Sequence, residues 1–228
     1  HIWFATDKGV CCFSPETSRW QEVASNLPCK LYTSLCELPS GDICVTNYMH
    51  GLFLIRKGEM EIGDKFADAI SANVIFPKDE TDVWIGTDCG LYLLNGKTQE
   101  WKKIKLPVSS QPFIRSLYQD KYGKLYIGTG GKGLLVINQE EDQTEIYASE
   151  YIRDISLIVP DGDCMLIGTG KELYNFNPAN KEFHLLLGGI DYLTSGSSLE
   201  DGIFMLGTSM GAFRFDKQAS FSLNSIHP

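Results

Sequence analysis

The chain has 228 residues, 43% hydrophobic and 21% charged, a balance that excludes intrinsic disorder and places it among globular proteins. Twenty basic residues against 29 acidic ones give a net charge of −9 with no basic run, which excludes a footprint for duplex nucleic acid but leaves room for a small local basic pocket. No apolar run approaches the roughly 18–20 residues that span a bilayer as a helix. His1 leads directly into an apolar stretch without the pattern of a signal peptide.

In chain order, one short pattern keeps returning. It reads I-W-F-A-T-D-K-G-V-C-C-F at 2–13, I-C-V-T-N-Y-M-H-G-L-F-L-I at 43–55 and V-W-I-G-T-D-C-G-L-Y-L-L-N at 83–95. It continues as L-Y-I-G-T-G-G-K-G-L-L-V-I at 125–137, M-L-I-G-T-G-K-E-L-Y-N-F at 165–176 and F-M-L-G-T-S-M-G-A-F-R-F at 204–215. Taking Ala5, Thr46, Gly86, Gly128, Gly168 and Gly207 as anchors, the steps are 41, 40, 42, 40 and 39 residues. Each copy is an apolar strand, a tight turn and a second apolar strand. The fourth repeat shows the whole unit: strands are predicted over Phe113–Gln119, Leu125–Thr129, Leu134–Asn138 and Glu145–Ala148. The turn between strands one and two varies but keeps turn residues, Asp with or without Gly: Pro39–Asp42, Asp79–Asp82, Asp120–Gly123, Asp161–Gly162 and Asp201–Gly202. A bulky ring recurs in the fourth strand, with Trp20, Trp101, Phe183 and Phe221 lying 15, 15, 15 and 14 residues past their anchors. These rings are expected to cover the seams between neighbouring units.

Four short strands in about 40 residues, six times over, predict an all-β fold, a β-propeller of four-stranded blades, with a solenoid of hairpins as the alternative. Residues 1–228 then read as one propeller domain or a fragment of one. The first repeat starts at its second strand, and 224–228 resembles the opening of another first strand. A fragment of a longer array, part of a seven-bladed ring, is the expectation.

Two motifs lose their usual meaning in this setting. Gly128–Gly133 matches G-x-G-x-x-G, but a strand follows where a dinucleotide site needs a helix. Gly207–Gly211 matches G-x-S-x-G, yet Ser209 again lies in a turn between strands. The four histidines show no zinc spacing, His184 is expected at the surface, and neither cofactor nor metal is predicted. Of the seven cysteines, Cys11, Cys12 and Cys44 fall in apolar strands and are expected to be reduced and buried. A Cys29–Cys36 bridge is left open by spacing, and this cysteine usage leans against an oxidising compartment.

In a four-stranded blade the turn between strands two and three lies on the same face as the lead-in to strand one. Candidate ligand residues on that face are Tyr48 and His50 in the second repeat, Arg115 and Lys132 in the fourth, Arg153 in the fifth and Tyr192 in the sixth. Tyrosines stack on and hydrogen-bond polar ligands, and arginine forks grip carboxylates or sulfates, so an acidic sugar suits Arg115 with Arg153. No pair of carboxylates or other catalytic group stands out.

The string [LV]-W-I-G-T-x-x-G-L-x-x-[YL]-[ND], preceded by I-x-x-L-x-x-D-x-x-G, resembles the two-component-regulator propeller repeat. Val83–Asn95 and Ile114–Asn138 match it well; Thr46-Asn47 and Glu172 depart from it. The resemblance implies a seven-bladed propeller in the periplasmic sensor region of a Bacteroidetes-type hybrid two-component system. It implies sensing of oligosaccharides without catalysis, with neighbouring domains of the same polypeptide, and a homodimer of the full-length protein, as partners. A protein-interaction scaffold, cytoplasmic in view of the seven cysteines, is the first alternative. A propeller lyase or other glycan-active enzyme is the second.

Overall fold

The computed structural model describes residues 1–23, 31–38, 41–47, 51–56, 59–62, 71–95, 98, 100–138 and 143–219. Phe221, the 224–228 tail, Tyr48, His50 and Cys29 lie outside the described residues. Among the described residues, 22 strands form six antiparallel sheets in chain order. The first is β1 (Ile2–Ala5), β2 (Val10–Ser14) and β3 (Arg19–Glu22). The second is β4 (Tyr32–Glu37), β5 (Ile43–Asn47), β6 (Gly51–Arg56) and β7 (Glu59–Ile62). The third holds β8 (Ala72–Pro77), β9 (Asp82–Thr87), β10 (Gly90–Asn95) and β11 (Trp101–Ile104). The fourth is β12 (Phe113–Gln119), β13 (Leu125–Gly130), β14 (Leu134–Asn138) and β15 (Gln143–Tyr147). In the fifth, β16 (Leu157–Asp161), β17 (Cys164–Gly168), β18 (Glu172–Asn177) and β19 (Glu182–Gly188) follow one another. The sixth has β20 (Leu193–Glu200), β21 (Ile203–Thr208) and β22 (Gly211–Asp216). The first and third predicted strands of the fourth repeat are found with the predicted bounds. Its second runs one residue longer, to Gly130, and its fourth starts two residues earlier, at Gln143.

Two compact units divide the chain, His1–Leu117 and Tyr118–Pro228, and the division falls within β12. Inside each, hydrophobic clusters fill the seams between consecutive sheets. In the first unit Val10, Tyr32, Ile43, Val45, Phe53 and Ile55 join sheets one and two, and Cys44, Leu52, Leu54, Ile75, Val83, Ile85 and Leu94 join sheets two and three. In the second unit Tyr126, Val136, Ile158, Ile167 and Phe176 lie between sheets four and five, and Leu157, Leu166, Leu173, Leu193, Phe204 and Leu206 between five and six. A second strand buried along its length has no polar side, which is why β5, β9, β13 and β17 read as largely apolar runs. The fourth strands β11 and β15 instead mix half-buried and exposed positions.

Within a unit, neighbouring sheets also meet through their first strands, β4 against β8 and β16 against β20. In the first unit, polar side chains tie these strands together. Thr33 Oγ1 donates to the Ala72 carbonyl at 2.6 Å, and Asn73 Nδ2 donates to that of Ile114 at 3.3 Å. Thr33 and Asn73 each occupy a register shift in their strand, and the bulge turns the side chain toward the next sheet.

The seam role of the fourth-strand rings holds for Trp101 and Phe183 and fails for Trp20. Trp101 packs on the cluster containing Cys44, Leu52 and Leu54 of the preceding sheet, and Phe183 on the one containing Tyr126 and Val136. Each ring therefore faces backward along the chain. Trp20 belongs to sheet one, whose backward face is covered by no other sheet among the described residues of its unit. It stacks on Phe13 and Phe4 at ring-centroid distances of 4.9 and 5.2 Å and is 63% exposed.

Candidate recognition surface

The anchor residues shape one face of each sheet. The Thr after the anchor closes the turn between strands two and three by donating its hydroxyl to a carbonyl across it. Thr6 donates to Gly9, Thr87 to Gly90, Thr129 to Gly133, Thr169 to Glu172 and Thr208 to Gly211, at 2.7–3.3 Å. The anchor itself is squeezed. A Cβ on Gly86 would lie 2.4 Å from Ile114 Cγ2, and one on Gly168 would lie 2.8 Å from Leu157 Cβ and 3.0 Å from Leu193 Cδ1. Glycine lets the following sheet's first strand approach. The Gly-Thr pair is thus a joint in the architecture, and the two misleading motifs are turns between strands.

Main-chain hydrogen bonds then tie the turns of sheets one, four and five to the lead-in of the next sheet. The Tyr32 amide donates to the Thr6 carbonyl at 3.3 Å, and the Ile155 amide donates to that of Thr129 at 2.9 Å. The Arg153 carbonyl accepts from both Gly131 and Gly133, at 3.0 and 2.8 Å. The Ile190 amide donates to the Lys171 carbonyl at 3.0 Å. Turn and lead-in lie on one face, and the backbone holds them there.

In the second unit this face carries Lys132, half-buried in its turn, directly beside exposed Arg153. Exposed Asp154 and Lys171 continue the rim. Tyr192 is 39% exposed, and its ring lies over the turn of sheet five, within 3.6 Å of where a Gly170 Cβ would be. The Tyr192 carbonyl accepts from the Ser209 amide at 3.0 Å, so Ser209 is held in a turn. Arg115 belongs to the first unit. It is half-buried in β12, with its guanidinium over the Phe113 ring at 5.2 Å.

Arg115 and Arg153 do not occupy equivalent positions. The bonds from Thr33 to Ala72 and from Asn73 to Ile114 align Ala72 with Ile114, so Arg115 follows the pattern of Thr33 and Asn73. Ile155 and Tyr32 make the same bond to the preceding turn, which makes Ser156 the counterpart of Arg115. Arg153 precedes its strand by four residues.

The opposite end of the second unit bears a groove that the repeat pattern did not suggest. It is about 450 Å³, lies between sheets four and five, and is lined by Tyr118, Lys121, Tyr122, Lys124, Tyr126 and Asp163. The Asp120 carboxylate accepts from the amides of Tyr122 and Lys124, both at 2.9 Å, and from the Tyr126 hydroxyl at 3.3 Å. Burial, and then the Asp120 charge, pushes the Tyr126 phenol well up, so it stays a neutral donor. Tyr122 is 71% exposed. The signal was the third-position aromatic in the Asp120–Gly123 turn, which turn chemistry alone does not require. His184 lies at the surface as expected, and no metal-binding cluster occurs among the described residues.

A family model described as "two component regulator propeller" matches residues 108–131. Those residues are a two-component-regulator propeller repeat. The regulator repeat thus comprises the lead-in to β12, that strand, the Asp120–Gly123 turn and β13 up to the turn that carries Lys132. Among solved structures, the chain is similar to the extracellular domain of the putative hybrid two component system BT3049 from B. thetaiotaomicron. The TM-score is 0.78 at 20% identity, over 95% of this chain and 32% of that one. It is also similar to a chain in a nidogen/laminin complex, with TM-score 0.77, 12% identity, and 96% of this chain and 89% of that one covered. Virginiamycin B lyase from Staphylococcus aureus gives a TM-score of 0.73 at 10% identity, covering 93% and 79%. These likenesses show a β-propeller fold, into which the regulator repeat at 108–131 is built. The chain spans about a third of the BT3049 domain, and no curated protein matches it.

Proposed function

We propose that this chain is the ligand-recognising, non-catalytic part of an extracytoplasmic sensor in a hybrid two-component system, periplasmic and responsive to an oligosaccharide. The regulator repeat at 108–131 and the likeness to the BT3049 extracellular domain support the sensor reading. The observation that carries the site is the Arg153 carbonyl bound by Gly131 and Gly133. This joint fixes Lys132 and Arg153 side by side on the face of the turns. Lys132, Arg153 and Lys171 supply donors, Asp154 supplies acceptors, and Tyr192 offers a ring face, the mixed set that sugar hydroxyls and a sugar carboxylate or sulfate require. The signal passes to adjacent domains of the same polypeptide, and a homodimer of the full-length protein fits the same reading.

Calorimetric titration of neutral, uronic-acid and sulfated oligosaccharides tests this. A ligand should bind the parent, and Arg153→Ala should weaken it by roughly 10- to 100-fold, the worth of one charge-assisted contact. Undiminished binding to a folded Arg153→Ala variant removes Arg153 from the site. The groove with Tyr118, Tyr122 and Tyr126 favours a second mode, a sugar ring stacked at the opposite end of the sheets. In that case Tyr122→Ala, and not Arg153→Ala, lowers affinity.

A further inference from the structure

Two cysteines of sheet two face each other across neighbouring strands. Cys36 of β4 is the direct register partner of Cys44 of β5. The Leu38 amide donates to the Asp42 carbonyl at 2.8 Å, so two residues further along the ladder Cys36 and Cys44 form a hydrogen-bonded pair. Such pairs hold their Cα atoms about 5.5 Å apart, within the range that a disulfide bridges. Side chains of directly paired residues lie on the same side of the sheet, and the Cys36 thiol is hydrogen-bonded to that of Cys44. Both sulfurs are free thiols, Cys44 fully buried within the cluster that fills the seam and Cys36 half-buried against that cluster.

We propose that Cys36 and Cys44 are a redox modification site that closes to a reversible cross-strand disulfide, with a small-molecule disulfide such as oxidised glutathione as the oxidant. The exposures set the order of events. The Cys36 thiolate attacks one sulfur of the oxidant, forming a mixed disulfide and releasing one glutathione thiolate. Cys44 then gives up its proton, attacks the Cys36 sulfur and expels the second glutathione. The two protein thiols lose two protons and two electrons, and one molecule of oxidised glutathione becomes two of the reduced form. Burial, and next the hydrogen bond that the Cys44 thiol donates to Cys36, raises the Cys44 thiol pKa, which makes the second step the slower one and rising pH its accelerator. The closed loop is short, so the bond staples β4 to β5 at the seam without reorganising the sheet. The proposal does not depend on the sensor reading.

Trypsin releases both cysteines on one peptide, Leu31–Arg56, while Cys29 leaves on Trp20–Lys30. The folded chain is incubated with oxidised glutathione, then denatured and blocked with N-ethylmaleimide before digestion and mass spectrometry. The expected Leu31–Arg56 is two hydrogens lighter and carries no maleimide, and prior treatment with dithiothreitol restores two labels. Two maleimides after oxidation, a lasting glutathione adduct, or a link to Trp20–Lys30 would each overturn the proposal. In Cys44→Ser the mixed disulfide at Cys36 should accumulate; an unmodified Cys36 in that variant refutes the order of attack.

Discussion

Adding one methyl group at Gly86 probes the joint on which the repeat is built. The Cβ of Gly86→Ala would sit 2.4 Å from Ile114 Cγ2, 2.6 Å from Val74 Cγ1 and 3.0 Å from Ile114 Cβ. Carbon atoms pack at about 3.5–4.0 Å, so two contacts are about 1 Å too short. Ile114 is fully buried and has no room to withdraw. Overpacking of this kind costs about 1–3 kcal/mol, against which the stiffer unfolded chain of alanine returns about 0.4–1 kcal/mol. A net loss of about 1–2 kcal/mol should appear as a lower denaturation midpoint at unchanged slope. Ile114→Ala alone should cost about 2–5 kcal/mol through its cavity. That cavity receives the new methyl, so the double variant should be more stable than the two losses added together, with a coupling of about 1 kcal/mol or more. A Gly86→Ala protein as stable as the parent, or a strictly additive cycle, would refute the close approach of β12 to the anchor.

Trp101→Ala should cost about 2–3 kcal/mol, somewhat less than the 3–5 kcal/mol of a fully buried ring, whereas Trp20→Ala should cost only about 1 kcal/mol, its stacking on Phe4 and Phe13. Equal losses in denaturant titrations would contradict the backward orientation of these rings. Gly133 has φ of 77°, and a Cβ there would meet the Tyr147 carbonyl at 2.1 Å, so Gly133→Ala should destabilise by about 2 kcal/mol or more and expose the Gly131 and Gly133 amides to hydrogen exchange. Burial alone would raise the Asp79 carboxyl, but the amides of Thr81 and Asp82 and the charge of Lys78 overcome it and hold it at about 2, below its ordinary 3.8. Its contribution is therefore complete above about pH 4 and vanishes as pH falls through about 2. Because the group is largely exposed, Asp79→Asn should lose under about 1 kcal/mol at neutral pH, with the deficit closing on acidification.

The sheets were legible because a second strand buried along its length must be largely apolar, and because glycine stands at anchors that the next first strand crowds, as at Gly86 and Gly168. What escaped the sequence lies where one sheet meets another. The same spacing places Trp20 and Trp101, yet only Trp101 has a preceding sheet beneath it within its unit. Thr33 and Asn73 read as ordinary strand residues, and only the bulge that turns them onto the next sheet reveals them as ties. Arg115 and Arg153 look alike by position, but backbone bonding makes Ser156 the counterpart of Arg115 and leaves Arg153 in the lead-in. Cys36 and Cys44 are separated by a hairpin whose register sequence spacing does not specify. The tyrosine groove draws on three segments of two consecutive sheets, so no single stretch of chain announces it.

The most direct test of the sensor reading is amide chemical-shift mapping of the isotope-labelled chain during titration with the oligosaccharide panel. The predicted shifts cluster at Lys132, Gly133, Arg153, Asp154, Lys171 and Tyr192, and saturate together with a single affinity. Shifts confined to Tyr118, Tyr122 and Asp163 would move recognition to the opposite end, and a spectrum unchanged by every sugar would contradict the account of this chain as the receptor.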